Sequence, residues 1–197
     1  MRDETRERLV STAMRLFLEK GYGVTSVAEI LHAADANSGS LYHYFPTKQD
    51  LLIEVLRRYR DGLHPMLLEP AWKNVVDPIE QVFALLSRYR AALESTECLY
   101  GCPIGSLALE IHEPDPAVRE LLASNFRGWI EAVETCFKLA GDRLPRDCDR
   151  HGLAVLTLNV MEGGVMQART SRDLTSFDRS VTTLRDYLER LQKDAAM

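Results

Sequence analysis

The run from Ser38 to Lys48, SGSLYHYFPTK, gathers hydroxyls, a phenol, an imidazole and an ammonium on one short stretch. Ser38, Gly39 and Ser40 have a low steric profile, so a helix starting with them can approach a surface closely. Tyr42, His43 and Lys48 project to its sides, where they can donate to anionic oxygen. Small residues at a helix start with donors on its flanks suit the major groove of DNA, base edges in front and phosphates on either side.

The neighbouring residues are those needed to position that start. Ser26 and Glu29 form a capping box that opens one helix. Val27, Ile30 and Leu31 share a face of it, and Ala33, Ala34 and Ala36 leave room for a second helix to cross closely. The turn is Ala34-Asp35-Ala36, and Asn37 or Ser38 can cap the second helix. Leu41 and Phe45, four apart, anchor it; Pro46 ends it; Thr47 and Asp50 cap a further helix. Upstream, Leu9, Ala13, Leu16 and Phe17 recur at helical spacing from Thr5 to Lys20, and Gly21 stops that helix. Arg2, Arg6 and Arg8 at its start either reach phosphate or form a solvated face.

This stretch, above all LYHYFPTKQDLL preceded by TSVAEI, closely resembles the DNA-binding domain of the TetR family of bacterial transcriptional repressors over Thr5 to Tyr59. The resemblance implies that Thr25 and Ser26 touch backbone phosphate, that Ser38, Gly39 and Ser40 face base edges, and that Tyr42, His43 and Lys48 hold phosphates. Asp35 stands where the family usually has Gly, and Ala36 where it often has Val. Asp tolerates a left-handed conformation better than most residues, so the turn is expected to survive. The implied division is residues 1–50 for DNA binding and 51–197 for ligand binding and dimerisation.

The second unusual run is YGCPIGSLALEI, residues 100–111. Gly101 and Gly105 flank Cys102-Pro103, delivering Cys102 just before a helix N-terminus, where backbone N–H groups stabilise a thiolate. Two readings stay open: a reactive sensor thiol, or a small buried apolar residue in a tight bend. The segment also resembles a Gly-Cys-Pro-Ile-Gly motif in the effector domain of one TetR branch. An effector pocket is expected among the middle helices, with Tyr89, Leu99, Tyr100, Phe126, Trp129 and Phe137 as its apolar lining and Glu110 or His112 as polar handles. Cys98, Cys102 and His112 lack a fourth ligand at sensible spacing, so no metal is expected, nor any cofactor or catalytic residue.

From Lys48 to Leu63 an amphipathic pattern leads onward, and His64-Pro65 and Glu69-Pro70 break it before Pro78. Helices then read over Ile79–Leu93, Ile104–His112, Pro116–Leu139, Pro145–Arg169 and Thr175–Lys193. The last two are expected to build a homodimer in the manner of the resembled family, through Val155, Leu158, Met166, Phe177, Val181, Leu184 and Leu188. The fold class is therefore all-α: an N-terminal three-helix helix-turn-helix domain followed by a helical effector-binding and dimerisation domain.

A net charge of −5 over 197 residues excludes a general nucleic-acid coat, while a specific reader needs only a local positive face. No apolar run approaches bilayer length and no signal-peptide core opens the chain, so a cytoplasmic protein with reduced thiols is expected. The function implied is a ligand-responsive regulator that binds a palindromic operator as a dimer and is released by a small molecule or a thiol-reactive electrophile. The alternatives are a Cys102-dependent thiol enzyme and a helical dimerisation module without DNA binding.

Overall fold

The computed structural model describes residues 2–196, with side chains from residue 4 onward. The Arg2 side chain thus lies outside the described residues. Every regular element among them is helical: α1 (Arg2–Lys20), α2 (Val27–Ala33), α3 (Ser38–Tyr44), α4 (Lys48–Gly62), α5 (Glu69–Trp72), α6 (Pro78–Ser95), α7 (Pro103–Glu110), α8 (Pro116–Leu139), α9 (Arg150–Ser171) and α10 (Thr175–Ala195). A π-helical turn, Leu63–Leu68, joins α4 to α5, so of the two readings of the segment after His64-Pro65, a loop or a short irregular helix, its first part is irregular helix. Residues 141–143 form one 3-10 turn, and α9 starts at Arg150, capped by Asp149 and not opened by Pro145.

The chain divides into two compact units, residues 1–61 with 103–125, and residues 62–102 with 126–197. In the first, Leu9, Val10, Ala13, Leu16 and Phe17 of α1 are buried together with Ile30 of α2, Leu41 of α3, Phe45, and Leu51, Leu52, Val55 and Leu56 of α4. The spacing of those residues predicts this core, because α1 packs on both α2 and α3. The unit also takes in α7, which packs on α1, and the first part of α8. Asn125, itself buried, donates from Nδ2 to Leu56 O at 3.1 Å and Leu121 O at 2.8 Å, tying α8 to α4.

The second unit is built on α6, α9 and α10, which pack on one another. Arg90 of α6 makes a two-pronged ion pair with Asp178 of α10, at 2.8 and 3.1 Å. At Gly164 of α9 a Cβ would lie 2.8 Å from Phe177 Cδ2 and 3.2 Å from Phe177 Cα, whereas at Gly163 it would meet nothing within 4 Å. Adjacent glycines therefore have opposite expected effects. Gly164→Ala pushes α9 off the α10 backbone and should cost about 1–3 kcal/mol, and Gly163→Ala should be neutral or stabilising by up to about 1 kcal/mol through helix propensity. Urea unfolding of both variants checks this; a larger loss for Gly163→Ala would contradict it.

Candidate nucleic-acid interface and effector site

The helix-turn-helix is held by four local devices legible in the sequence. Ser26 Oγ accepts from Glu29 N–H at 3.1 Å while Glu29 Oε2 accepts from Ser26 N–H at 2.8 Å, so α2 begins with a complete capping box. That backbone donor, with Lys20 at 2.9 Å, holds the Glu29 carboxyl down at about 2. Asp35 carries the turn at φ 46, the left-handed conformation that a glycine would adopt more cheaply. Asn37, and not Ser38, caps α3: its Oδ1 accepts from Ser40 N–H at 2.8 Å. Thr47 and Asp50 then cap α4 reciprocally.

Four long-range devices complete the unit. Arg8 of α1 donates from Nε to Ala34 O at 3.1 Å and from Nη2 to Asp35 O at 3.2 Å, covering the carbonyls that end α2. Arg6 pairs with Glu54 at 2.8 Å and lies over the Phe45 ring. The Glu110 carboxylate, at the end of α7, receives the N–H of Tyr22 at 2.8 Å and that of Gly23 at 2.5 Å. Gly21 has φ 97, the conformation that calls for glycine, and a Cβ there would sit 3.0 Å from Glu110 Oε2, so the carboxylate would have to shift. Lys48 donates to the carbonyl of Tyr22 and stacks its ammonium 4.3 Å from the Tyr22 ring. Partial burial pushes the Lys48 pKa down, against the pull of Glu110 and Glu29. The turn between α1 and α2 is thus gripped by a carboxylate on its N–H groups and an ammonium on a carbonyl.

These placements sort the expected DNA contacts. Ser26, Ser38, Gly39, Tyr42 and His43 are exposed, and Ser40 is partly so. Thr25 is not available: it is fully buried and its hydroxyl donates to Gly21 O at 2.6 Å, making it a brace for the turn where the resemblance implied a phosphate contact. Lys48 is half-buried on that same turn, so its first role is to shape it.

In the second unit the structure brings Cys102, Tyr89 and Trp129 together and adds Glu162 of α9. Burial pushes the Glu162 carboxyl up in pKa, and the neighbouring Cys102 thiol offsets this only in part. Burial also pushes the Tyr89 phenol well above its usual range, reinforced by the charges of Cys102 and Glu162. Trp129 is 4% exposed, and its side chain lies beside Tyr89. Cys102 does directly precede α7, yet it is buried and the charged group beside it is a carboxylate, not a cation. Tyr100 and Phe126 are partly exposed. Glu110, one of the two expected polar handles, is committed to the α1–α2 turn. Burial lifts Cys136 to about 11.

The apolar stripe expected to form an interface is divided. Leu158, Phe177, Leu184 and Leu188 are 1–7% exposed within the chain, so they serve the packing of its own helices. Val155 and Val181 are partly exposed and Met166 is exposed. What α9 and α10 leave on the surface is a shallow apolar groove of about 510 Å³ with Leu156, Val160, Thr183 and Tyr187 on its walls.

Residues 9–55 match the model of bacterial regulatory proteins of the tetR family, and residues 78–182 match that of the LmrA/YxaF-like transcriptional regulator C-terminal domain. The chain belongs to the TetR family of transcriptional regulators. The regulator is 31% identical to the uncharacterised HTH-type transcriptional regulator YxaF of Bacillus subtilis, over 88% of this chain and 90% of that one. It superposes on a TetR transcriptional regulator from Chloroflexus aurantiacus with TM-score 0.84 and 27% identity, covering 95% and 96% of the two chains. A cysteine mutant of the regulator CifR, solved with a 26 bp double-strand operator DNA, aligns with TM-score 0.73 and 26% identity over 92% and 94% of the chains. No helix among the regulator's described residues is long and apolar enough to cross a membrane.

Three residues have surroundings that their local sequence does not announce: Arg8 reaches the carbonyls of Ala34 and Asp35, Glu110 holds the N–H groups of Tyr22 and Gly23, and Glu162 is a partly buried acid in an apolar run. The available signal for Glu162 was its charge: an acidic side chain inside LTLNVMEGGVMQA must find a partner or a task.

Proposed function

We propose that the regulator is a homodimeric repressor that reads an inverted-repeat operator with α3 and releases it when a small molecule occupies the Cys102 region. The observation that carries the reading is the exposed face of α3: Ser38, Gly39, Tyr42 and His43 stand clear of a core that holds Leu41 and Phe45. Ser38, Gly39 and Ser40 face base edges, while Ser26, Tyr42, His43 and Lys48 lie on phosphates. Residues 1–50 supply the reading head, and residues 51–197 the effector site and the dimer contact through the surface of α9 and α10. The run Gly101-Cys102-Pro103-Ile104-Gly105 supports assigning the chain to a branch with a Gly-Cys-Pro-Ile-Gly effector motif. The protein acts in the cytoplasm, performs no catalysis, and binds half-sites whose centres lie roughly 34–36 Å apart or a multiple of that.

The test separates reading from holding. Ser40→Ala is expected to change the ranking of operator variants while leaving the dependence of affinity on salt unaltered. Tyr42→Phe removes a phosphate donor, so it should weaken binding by about the same factor on every sequence. Fluorescence anisotropy on a set of single-base operator variants at two salt concentrations measures both. Equal behaviour of the two variants would refute the assignment of α3.

A further inference from the structure

We infer that Arg8 of α1 is a positioning residue for the reading helix: its guanidinium holds Asp35 in the left-handed conformation that sets how α3 leaves the turn. The inference rests on the assignment of α3 to base reading given above. Helix α2 ends in an arrangement that ordinarily calls for glycine. Asp35 N–H donates to His32 O at 3.3 Å and Ala36 N–H to Leu31 O at 3.0 Å, the two bonds that close a helix over a left-handed residue. Asp35 is that residue, at φ 46, and an L side chain is less stable there than glycine. The turn therefore gains from any bond that only this conformation offers.

Arg8 supplies two such bonds. One edge of its guanidinium donates from Nε to Ala34 O at 3.1 Å and from Nη2 to Asp35 O at 3.2 Å. These carbonyls belong to the peptides on either side of Asp35, and the N–H groups of the same two peptides are the ones bonded back into α2. Both peptide planes flanking the left-handed residue are thus held at both ends. Ala34 is 3% exposed, so little water can replace Arg8 at its carbonyl. Asn37 caps α3 two residues after Asp35, so the rotation held at Asp35 sets the direction in which Ser38, Gly39 and Ser40 emerge. A lysine cannot do the same, because its ammonium is a point charge on a flexible stem and the guanidinium is a planar fork.

Binding of the full-length protein to a duplex recovered by selection from random sequence tests this with Arg8→Lys and Arg8→Ala, each made in wild type and in Asp35→Gly. In wild type both substitutions are expected to weaken binding roughly tenfold, as for one hydrogen bond to a charged group, with the salt slope unaltered. In Asp35→Gly, where the left-handed conformation needs no help, the same substitutions should cost much less; comparison within one background cancels the charge lost with Asp35. Protection of the Ala36 N–H against hydrogen exchange, measured without DNA, should fall in both Arg8 variants while circular dichroism stays that of wild type. Arg8→Lys binding as wild type, or a salt slope lowered by about 1 in Arg8→Ala, would mark a charge acting on phosphate and overturn the inference. An equal loss in the two backgrounds, or unchanged Ala36 protection, overturns it as well. Ser40→Ala run alongside separates this failure from that of the α3 assignment: unaltered discrimination among duplexes in Ser40→Ala, with Ala36 protection lost in Arg8→Lys, leaves the hold on Asp35 standing and removes its bearing on base reading.

Discussion

A Leu156→Glu, Tyr187→Ser double variant is expected to be a folded monomer at micromolar concentration and to bind operator roughly 10²–10⁴-fold more weakly than wild type. Leu156 is 41% and Tyr187 45% exposed, yet both border the apolar groove on α9 and α10. Large apolar side chains exposed side by side on two adjacent helices mark a surface meant for burial. A two-fold copy of the same face would cover it and give a four-helix contact. Because neither side chain is part of the chain's own core, circular dichroism should be unchanged while light scattering halves the mass. The loss of affinity follows from geometry: one head reads one half-site, and the second binding event is no longer intramolecular. If the variant remains a dimer, the contact lies on another surface.

Glu110→Ala is expected to lower operator affinity roughly 5–150-fold, corresponding to the loss of about 1–3 kcal/mol of turn stability. Its carboxylate accepts two charge-assisted hydrogen bonds from consecutive N–H groups of the turn that leads into α2. Thr25 and Lys48 brace the carbonyls of the same turn, so without Glu110 the α1–α2 connection keeps only half of its grip. The direction of the effect is diagnostic. Removing a negative charge from a DNA-binding unit should by itself strengthen binding, so a weaker complex identifies Glu110 as a positioning residue. Glu110→Gln keeps one good acceptor and should fall between wild type and Ala. An affinity that rises in both variants would show that Glu110 acts on DNA only through its charge. Since α7 starts directly after Cys102 and ends on Glu110, this variant also bears on how an effector could reach the reading head.

What the sequence revealed was local. Ser26 with Glu29, Asn37 ahead of Ser40, and Thr47 with Asp50 lie three residues apart, and each signal needs nothing beyond its own helix turn. The core of the first unit followed from periodicity because each of its helices has one apolar face and one place to put it. The misses involve partners distant in the chain. Glu110 meets Tyr22 and Gly23 nearly ninety positions earlier, Arg8 reaches the carbonyls of Ala34 and Asp35, and Thr25 turns inward to Gly21 O because the turn needs that acceptor filled. Periodicity on α10 found a stripe but not what covers it. Phe177, Leu184 and Leu188 are buried within the chain, while Leu156 and Tyr187 stand exposed beside an apolar groove that Leu184 also lines.

The most direct test of the central claim is selection from a pool of random-sequence duplexes by the purified, reduced, full-length protein at near-physiological salt, with the retained DNA sequenced. The account predicts enrichment of an inverted repeat with a fixed half-site spacing, and loss of that enrichment for the Leu156→Glu, Tyr187→Ser variant. An unenriched pool, or a single half-site retained equally by the wild type and the monomeric variant, would contradict it.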